Sequence, residues 1–488
     1  MSSSRGLPIA LLTAFCFVAP GLAAAQTAAP STMPSASPST TPPSDAAAIA
    51  KVDATVAGTL SATKIPGISI AIARDGTVIY SHGYGYANLT RQTPATTQTH
   101  YEIGSITKQF TATAILQLKE TGKLSLDDTL HRWIPEYARA KSVTIRELLG
   151  QTTGIPNYTE ANHFMKIAST RQASFPAMLA LIDKKPLEFK PGSKFSYSNT
   201  NYILLGEIVE RASGVSWEDY IRMHIFSPAG MTQSGFISDE ARLQPMATGY
   251  EVGKSGVKAA PALKSGWAWS AGAIVSTVDD MLAWDSALFG GKLINQSDLG
   301  AMLAPGKEAY GKTSFYGYGW VIDSIDGHAR IWHNGGTFGF LAANAVFPQD
   351  HITVVVLQNG VGIVPAESTA TRIFETFAPA QTLTAAAGED PAITARVRDW
   401  LNRFETGNID RSQLDVKMNS LLTPQVVNEV KGQLGALDAP QQLVYLGKKT
   451  AAGSTIYTYR AVFSAVTFNL YVGVNAAGKI SGFLIGPQ

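Results

Sequence analysis

Hydrophobic residues recur with two different periods along the chain. Ile68, Ile70 and Ile72 alternate with smaller residues, Asp75-Gly76 supplies a tight turn, and Val78 to Ser81 returns, which predicts the opening hairpin of an antiparallel sheet. The period then changes. Helical spacing runs over Lys108 to Glu120, over Val143 to Leu149 behind a Thr144/Glu147 capping pattern, over Tyr202 to Ala212 and over Trp217 to His224. Strand-like runs resume at Ala329 to Trp332, Phe340 to Phe347 and Ile352 to Leu357. Strand, many helices, then strand predicts an α/β (α+β) architecture. Its antiparallel sheet is built from two distant stretches of chain, flanked by helices, and interrupted by a helical subdomain with a cleft between the layers.

A compositional change at PAQTLTAAAGEDPA marks a boundary near 380 to 392. Beyond it, residues 392–488 open with a helix-like VRDWLNRFETG and continue in short alternating runs, predicting a small C-terminal α+β domain with Phe404, Tyr457, Tyr459 and Phe468 as core. In its order of elements this tail is similar to the cone-shaped nuclear transport factor 2 type. At the other end, Arg5, the apolar stretch Ile9 to Ala19 and Ala23-Ala24-Ala25 before Gln26 have the layout of a signal peptide over residues 1–25. The stretch is too short to span a bilayer, and Phe15 before Cys16 does not suit lipid attachment. Residues 26–46, rich in Ser, Thr, Pro and Ala, read as a linker, which leaves 47–380 as the main domain.

Composition narrows the partners. The 488 residues are 45% hydrophobic and 16% charged with a formal net charge of +2 and no block of like charge, so nothing points to nucleic acid or an anionic membrane. Cys16 is the single cysteine and leaves with the signal peptide. Disulfides, thiol catalysis and cysteine-ligated zinc fall with it. An exported protein of a bacterial periplasm or the extracellular space, acting on a small molecule or peptide, is the expectation; the patterns carry no information on oligomeric state.

The candidate chemistry begins at Ser105-Ile106-Thr107-Lys108. A serine three residues before a lysine at a helix start puts hydroxyl and amine on one face, where a neutral amine can take the serine's proton. Ser61-Ala62-Thr63-Lys64 and Ser255-Gly256-Val257-Lys258 share that spacing, and a plain N-cap serine with a surface lysine would also satisfy it. Only Ser105 opens a long apolar helix, whose Phe110, Ala114, Ile115 and Leu118 would bury the lysine stem and lower its pKa. Tyr197-Ser198-Asn199 offers a phenol to act as base and then acid, with Asn199 placed to hold a substrate amide or the lysine. Tyr86-Ala87-Asn88 repeats those letters inside a strand-like segment and reads as structural. His333-Asn334-Gly335-Gly336 ends a strand; its glycines let a substrate lie against the backbone, and the Gly336 N–H can join that of Ser105 at an oxyanion.

The three motifs in that order resemble the serine beta-lactamase and penicillin-recognising enzyme superfamily, in the branch of class C beta-lactamases, D-Ala-D-Ala carboxypeptidases and family VIII esterases. EIGSITKQFTATAILQL, LLGQTTGIPNY, PGSKFSYSNTNYILLGEIVERASG, FSPAGM, AGAIVSTVDDMLAW, YGYGW and HNGGTFGFLAANAVFP carry the likeness over roughly 48 to 375. It implies a beta-lactamase/transpeptidase-like fold and a serine hydrolase without metal or organic cofactor. Ser105 is the implied nucleophile, Lys108 and Tyr197 the proton-handling pair, Asn199 a substrate or lysine contact, and His333 to Gly335 the substrate-facing strand.

His333 and Asn334 depart from the Lys and Thr usual in that branch, which grip a substrate carboxylate. The expectation is therefore a weak, pH-dependent grip, favouring an esterase or D-amino-acid amidase or peptidase over a beta-lactamase. Gln151 stands where a histidine is common. The competing reading is a non-catalytic binding protein for cell-wall peptide on the same fold. Gly306 to Thr313 spells a Walker A motif, but no strand pattern precedes it and no helix pattern follows.

Overall fold

The computed structural model describes residues 45–486, apart from 138–140, 254–255, 265, 310–313, 363, 379–384, 435–438, 452 and 464–466. The signal peptide and all but the last two residues of the linker therefore lie outside the described residues. So do Ser255 and the end of the Walker-like stretch. The chain forms two compact units, one reaching to residue 378 and one from 385 onward.

Alternation at Ile68, Ile70 and Ile72 produces the strand Gly67–Arg74, at the heart of an eight-stranded antiparallel sheet. On one side it pairs with Thr77–Asn88, and on the other with Ile352–Gln358, nearly three hundred residues later. Phe340–Phe347, His328–Thr337, Val321–Ile325 and a short Phe315–Tyr316 strand complete the sheet in that order. The pleat sorts side chains onto two faces. Ile68, Ile70, Ile72, Val354 and Val356 meet the helices Asp45–Thr63 and Ala366–Glu375, whereas Ala71, Ala73, Val355 and Leu357 face the helical region.

The helix Asp45–Thr63 lies where the sequence suggested only the end of a linker and the start of a domain. Its buried stripe is Ala48, Val52 and Val56, spaced by four, too small and too close in composition to the preceding tract to stand out. The helical region holds Thr107–Glu120, Ile145–Leu149 and Asn199–Ser213, and the Thr144/Glu147 capping box is formed as predicted. Phe110, Ala114, Ile115 and Leu118 are all buried. Thr107–Glu120 is in fact enclosed on nearly every side, its polar Thr107, Gln109, Thr111 and Thr113 included.

The second unit consists of three helices, Pro391–Thr406, Val416–Leu421 and Pro424–Leu434, followed by four sequential antiparallel strands between Gln442 and Gly486. Phe404, Tyr459 and Phe468 are buried in it, while Tyr457 is half-buried. Among the described residues no helix is long and apolar enough to cross a membrane.

The outer helix of the sheet is fastened by Phe374, 1% exposed, whose ring stacks on Phe347 at 3.6 Å between centroids. Phe374→Ala is expected to cost about 3–5 kcal/mol, read as a lower midpoint in denaturant unfolding.

Candidate active site

The segment Gly104–Ile106 forms a single tight turn that runs directly into the helix Thr107–Glu120, so Ser105 and Lys108 share one face of a continuous coil. Lys108 is fully buried and Ser105 half-buried. Lys108 Nζ lies 2.9 Å from Ser105 Oγ, 2.8 Å from Asn199 Oδ1 and 2.8 Å from the Ala271 carbonyl oxygen. None of these partners is a carboxylate, and burial holds the amine's pKa well below that of a free lysine. A neutral amine has two N–H groups and one lone pair. Asn199 Oδ1 and Ala271 O can accept only, so they take the two N–H groups and leave the lone pair facing the Ser105 hydroxyl.

Tyr197 comes to the same place. Its ring centroid is 4.9 Å from Lys108 Nζ, and the ring packs 6.1 Å from Tyr316 and 6.2 Å from His333. Asn199 is the first residue of its helix; its N–H is held by Asn157 Oδ1 at 3.2 Å and its Nδ2 by Thr159 Oγ1 at 3.4 Å, which turns Oδ1 toward Lys108. A cavity of about 280 Å³ lined by Asn157, Glu160 and Glu188 among others opens beside this support.

The loop carrying Tyr197 is fixed by Gln151. That residue is buried with a left-handed backbone (φ 56°), accepts from the Ser198 N–H at 3.0 Å and from Asn201 Nδ2 at 2.5 Å through Oε1, and from the Ser196 N–H at 2.9 Å through its carbonyl. Sequence reasoning found no consequence for Gln151. The contacts cross about fifty positions of chain and have no local signature.

The strand His328–Thr337 supplies the far wall. Its pairing with Val321–Ile325 stops at Trp332, and among the described residues the edge from His333 onward has no ladder partner on that side. Here the Ser105 segment approaches backbone to backbone. A methyl group at Gly335 would stand 1.8 Å from Ile103 O and 3.1 Å from Ser105 N, and one at Gly104 (φ 52°) would stand 2.6 Å from Gly336 N. Glycine is required at these positions, and Gly336 N faces the turn that bears the serine.

His333 is 2% exposed and spends both ring nitrogens inside the protein. Nδ1 lies 2.6 Å from its neighbour's carbonyl, Asn334 O, and Nε2 lies 3.1 Å from Tyr316 Oη. This network assigns the proton to Nδ1, with Nε2 accepting from the tyrosine. Burial pushes its pKa down to about 3. The expected pH-dependent grip near neutrality is thus replaced by a constitutively neutral imidazole. Asn334 is exposed, and its Nδ2 donates to Glu367 Oε1 at 2.9 Å, so this amide is tied to the helix on the opposite face of the sheet. Ser61 and Lys64 sit on the surface at the end of the first helix, and Asn88 Nδ2 donates to Thr248 Oγ1, so neither look-alike motif enters the site. Among the described residues no three His, Cys, Asp or Glu side chains converge as a metal centre would need.

The sequence pattern of the beta-lactamase family matches residues 52–378, and the chain belongs to that family. It is a serine hydrolase by fold and constellation. It is 30% identical over 317 residues to penicillin-binding protein 4* of Bacillus subtilis, covering 60% of this chain and 67% of that protein. It is 29% identical over 319 residues to the protein flp of Staphylococcus aureus, covering 63% of this chain and 62% of that one. The chain thus spans about two thirds of the length of these relatives or less. Among solved structures, the octameric penicillin-binding protein homologue of Pyrococcus abyssi superposes with a TM-score of 0.62 at 26% identity, over 87% of this chain and 90% of that one.

Gly335→Ala must force the strand His328–Thr337 away from Ile103. At least a hundredfold loss of turnover is expected on the order of the loss of one oxyanion donor, with a lower unfolding midpoint, both measured on the purified variant.

Proposed function

We propose that the protein cleaves ester or amide bonds through an acyl-enzyme on Ser105. The observation that carries this reading is the contact set of Lys108, which satisfies both N–H groups of a neutral amine and directs its lone pair at Ser105 Oγ. Lys108 takes the hydroxyl proton as Oγ attacks the carbonyl carbon. Tyr197, whose ring lies over the amine, takes part in relaying that proton to the leaving group. The oxyanion forms between the N–H groups of Ser105 and Gly336, and water then attacks the acyl carbon and regenerates the serine. The substrate lies along the unpaired edge of the strand beyond Trp332 as an added partner.

A neutral, internally bonded His333 supplies no positive charge for a substrate carboxylate. The favoured substrates are therefore short esters and D-amino-acid amides or peptides, with weak action on beta-lactams. The leader-like pattern of residues 1–25 supports export, so the reaction belongs outside the cytoplasm.

Intact mass after brief exposure to a nitrophenyl ester, a D-Ala-D-Ala peptide and a penicillin tests the acyl-enzyme. An adduct is expected on the parent protein and none on Ser105→Ala; an adduct that survives this substitution refutes the assignment. Tyr197→Phe is expected to lose roughly a hundredfold or more in turnover, in line with general acid–base catalysis, while its unfolding midpoint stays that of the parent. For substrates bearing a carboxylate, KM is expected to be flat from mildly acid to neutral pH. His333 is depressed to about 3 and is already uncharged across that range. A KM that climbs through the ordinary histidine range would show a protonated His333 gripping the carboxylate.

A further inference from the structure

Three residues before Ser105, the carboxyl of Glu102 is buried, 5% exposed, on the short strand Tyr101–Glu102. The strand Ile274–Ser276 pairs with it on one side and with Gly235–Phe236 on the other, so Val275 lies opposite both Glu102 and Gly235. The chain that leaves Phe236 turns through Ile237–Asp239 and brings back a second carboxyl, Glu240, half-buried, against Glu102. Glu102 also faces the hydroxyl of Thr337, the residue that follows Gly336 on the oxyanion strand. Glu102 Oε2 is enclosed, yet no N–H or hydroxyl donates to it with hydrogen-bond geometry.

A buried carboxylate oxygen with no donor, facing another carboxyl, is stable only if a proton lies between the two. Other charges do not fill the gap. Ile274, Val275 and Ser276 bring none, Arg222 is committed to Asp239, and His100 lies on the Asp280 side with Nδ1 against Pro245 O. Burial raises Glu102 far above the usual carboxylate range and outweighs the Thr337 hydroxyl, which favours the ionised form; the neighbouring Glu240 acts with burial, and Glu240 is raised by burial too.

The place of this pair gives it a task. Glu102 and Thr337 flank the contact in which Gly104 and Gly335–Gly336 touch backbone to backbone. We propose that Glu102 is a positioning residue for acylation: Glu102 and Glu240 share one proton, and the shared proton keeps the end of the oxyanion strand seated against the Ser105 turn. This rests on Ser105 being the nucleophile. Losing the proton leaves two carboxylates in contact, and their repulsion parts the segment before Ser105 from the loop after Phe236. The site thereby carries an alkaline limit independent of Lys108 and Tyr197.

The test uses the full chain with a neutral nitrophenyl ester, following kcat and KM from neutral into alkaline pH, and infrared spectra over the same range. The parent is expected to show a protonated-carboxyl C=O band that fades with rising pH, with kcat falling in step and KM changing less. Glu102→Gln and Glu240→Gln each provide an amide donor that needs no proton. Each variant should lose the pair's share of the band, leaving that of the separate buried carboxyl Asp285, and, relative to its own neutral rate, keep at least ten times more of its activity at the alkaline end than the parent does. An alkaline limb unchanged in both variants, or a parent without the band, overturns the proposal. Should Glu102→Gln fail to fold, Glu240→Gln, at the less buried position, decides it. Absence of any Ser105 adduct would instead bring down the hydrolase reading and the positioning role with it, while the band would still report the shared proton.

Discussion

A lysine amine buried among uncharged partners is the condition on which the rest of this structure depends. Taking an ammonium out of water without a counterion costs several kcal/mol, so burial draws Lys108 toward the free base, and Asn199 and Ala271 supply acceptors suited to that form. The three partners, two acceptors and the serine hydroxyl, come from three parts of the chain. Ser105 precedes the helix, Asn199 opens another helix some ninety residues later, and Ala271 belongs to the turn before the strand Ile274–Ser276. The Ser105–Lys108 contact exists only when the helical region and the turn at Ala271 are packed around one amine.

The second constraint is steric. The turn bearing Ser105 and the strand bearing Gly336 approach closer than any side chain permits, so glycine at 104 and 335 sets the distance across which an oxyanion can be held. His333 then becomes intelligible. In contact with Tyr197 and Tyr316 and withdrawn from water, the imidazole is favoured in its neutral form by burial. A neutral imidazole bonded at both nitrogens fills the space and holds Tyr316 without adding a charge. Burial is the common cause: it favours the neutral form of the Lys108 amine and of the His333 imidazole alike.

Legibility in the sequence followed the range of the interactions. Alternation at Ile68, Ile70 and Ile72, the capping box at Thr144 and Glu147 and the apolar helix behind Ser105 are local, and each appears in the structure where its pattern lies. The helix Asp45–Thr63 escaped because its stripe of Ala48, Val52 and Val56 gains its meaning from the sheet it covers. Gln151 escaped for a related reason: nothing near it in sequence reveals that Ser198 and Asn201 will need an acceptor.

By itself the sequence determined the order of elements, the chemical identity of Ser105, Lys108, Tyr197 and Asn199, and the family, because these depend on residue type and short spacing. Tertiary structure decided the protonation of those groups. That burial lowers the pKa of Lys108 and of His333, that both His333 nitrogens are engaged, that Asn334 is tied to Glu367 and that Glu102 meets Glu240 all follow from what lies across the fold. Burial and hydrogen-bond partners set the charge of an ionisable side chain, and both are properties of the packed chain.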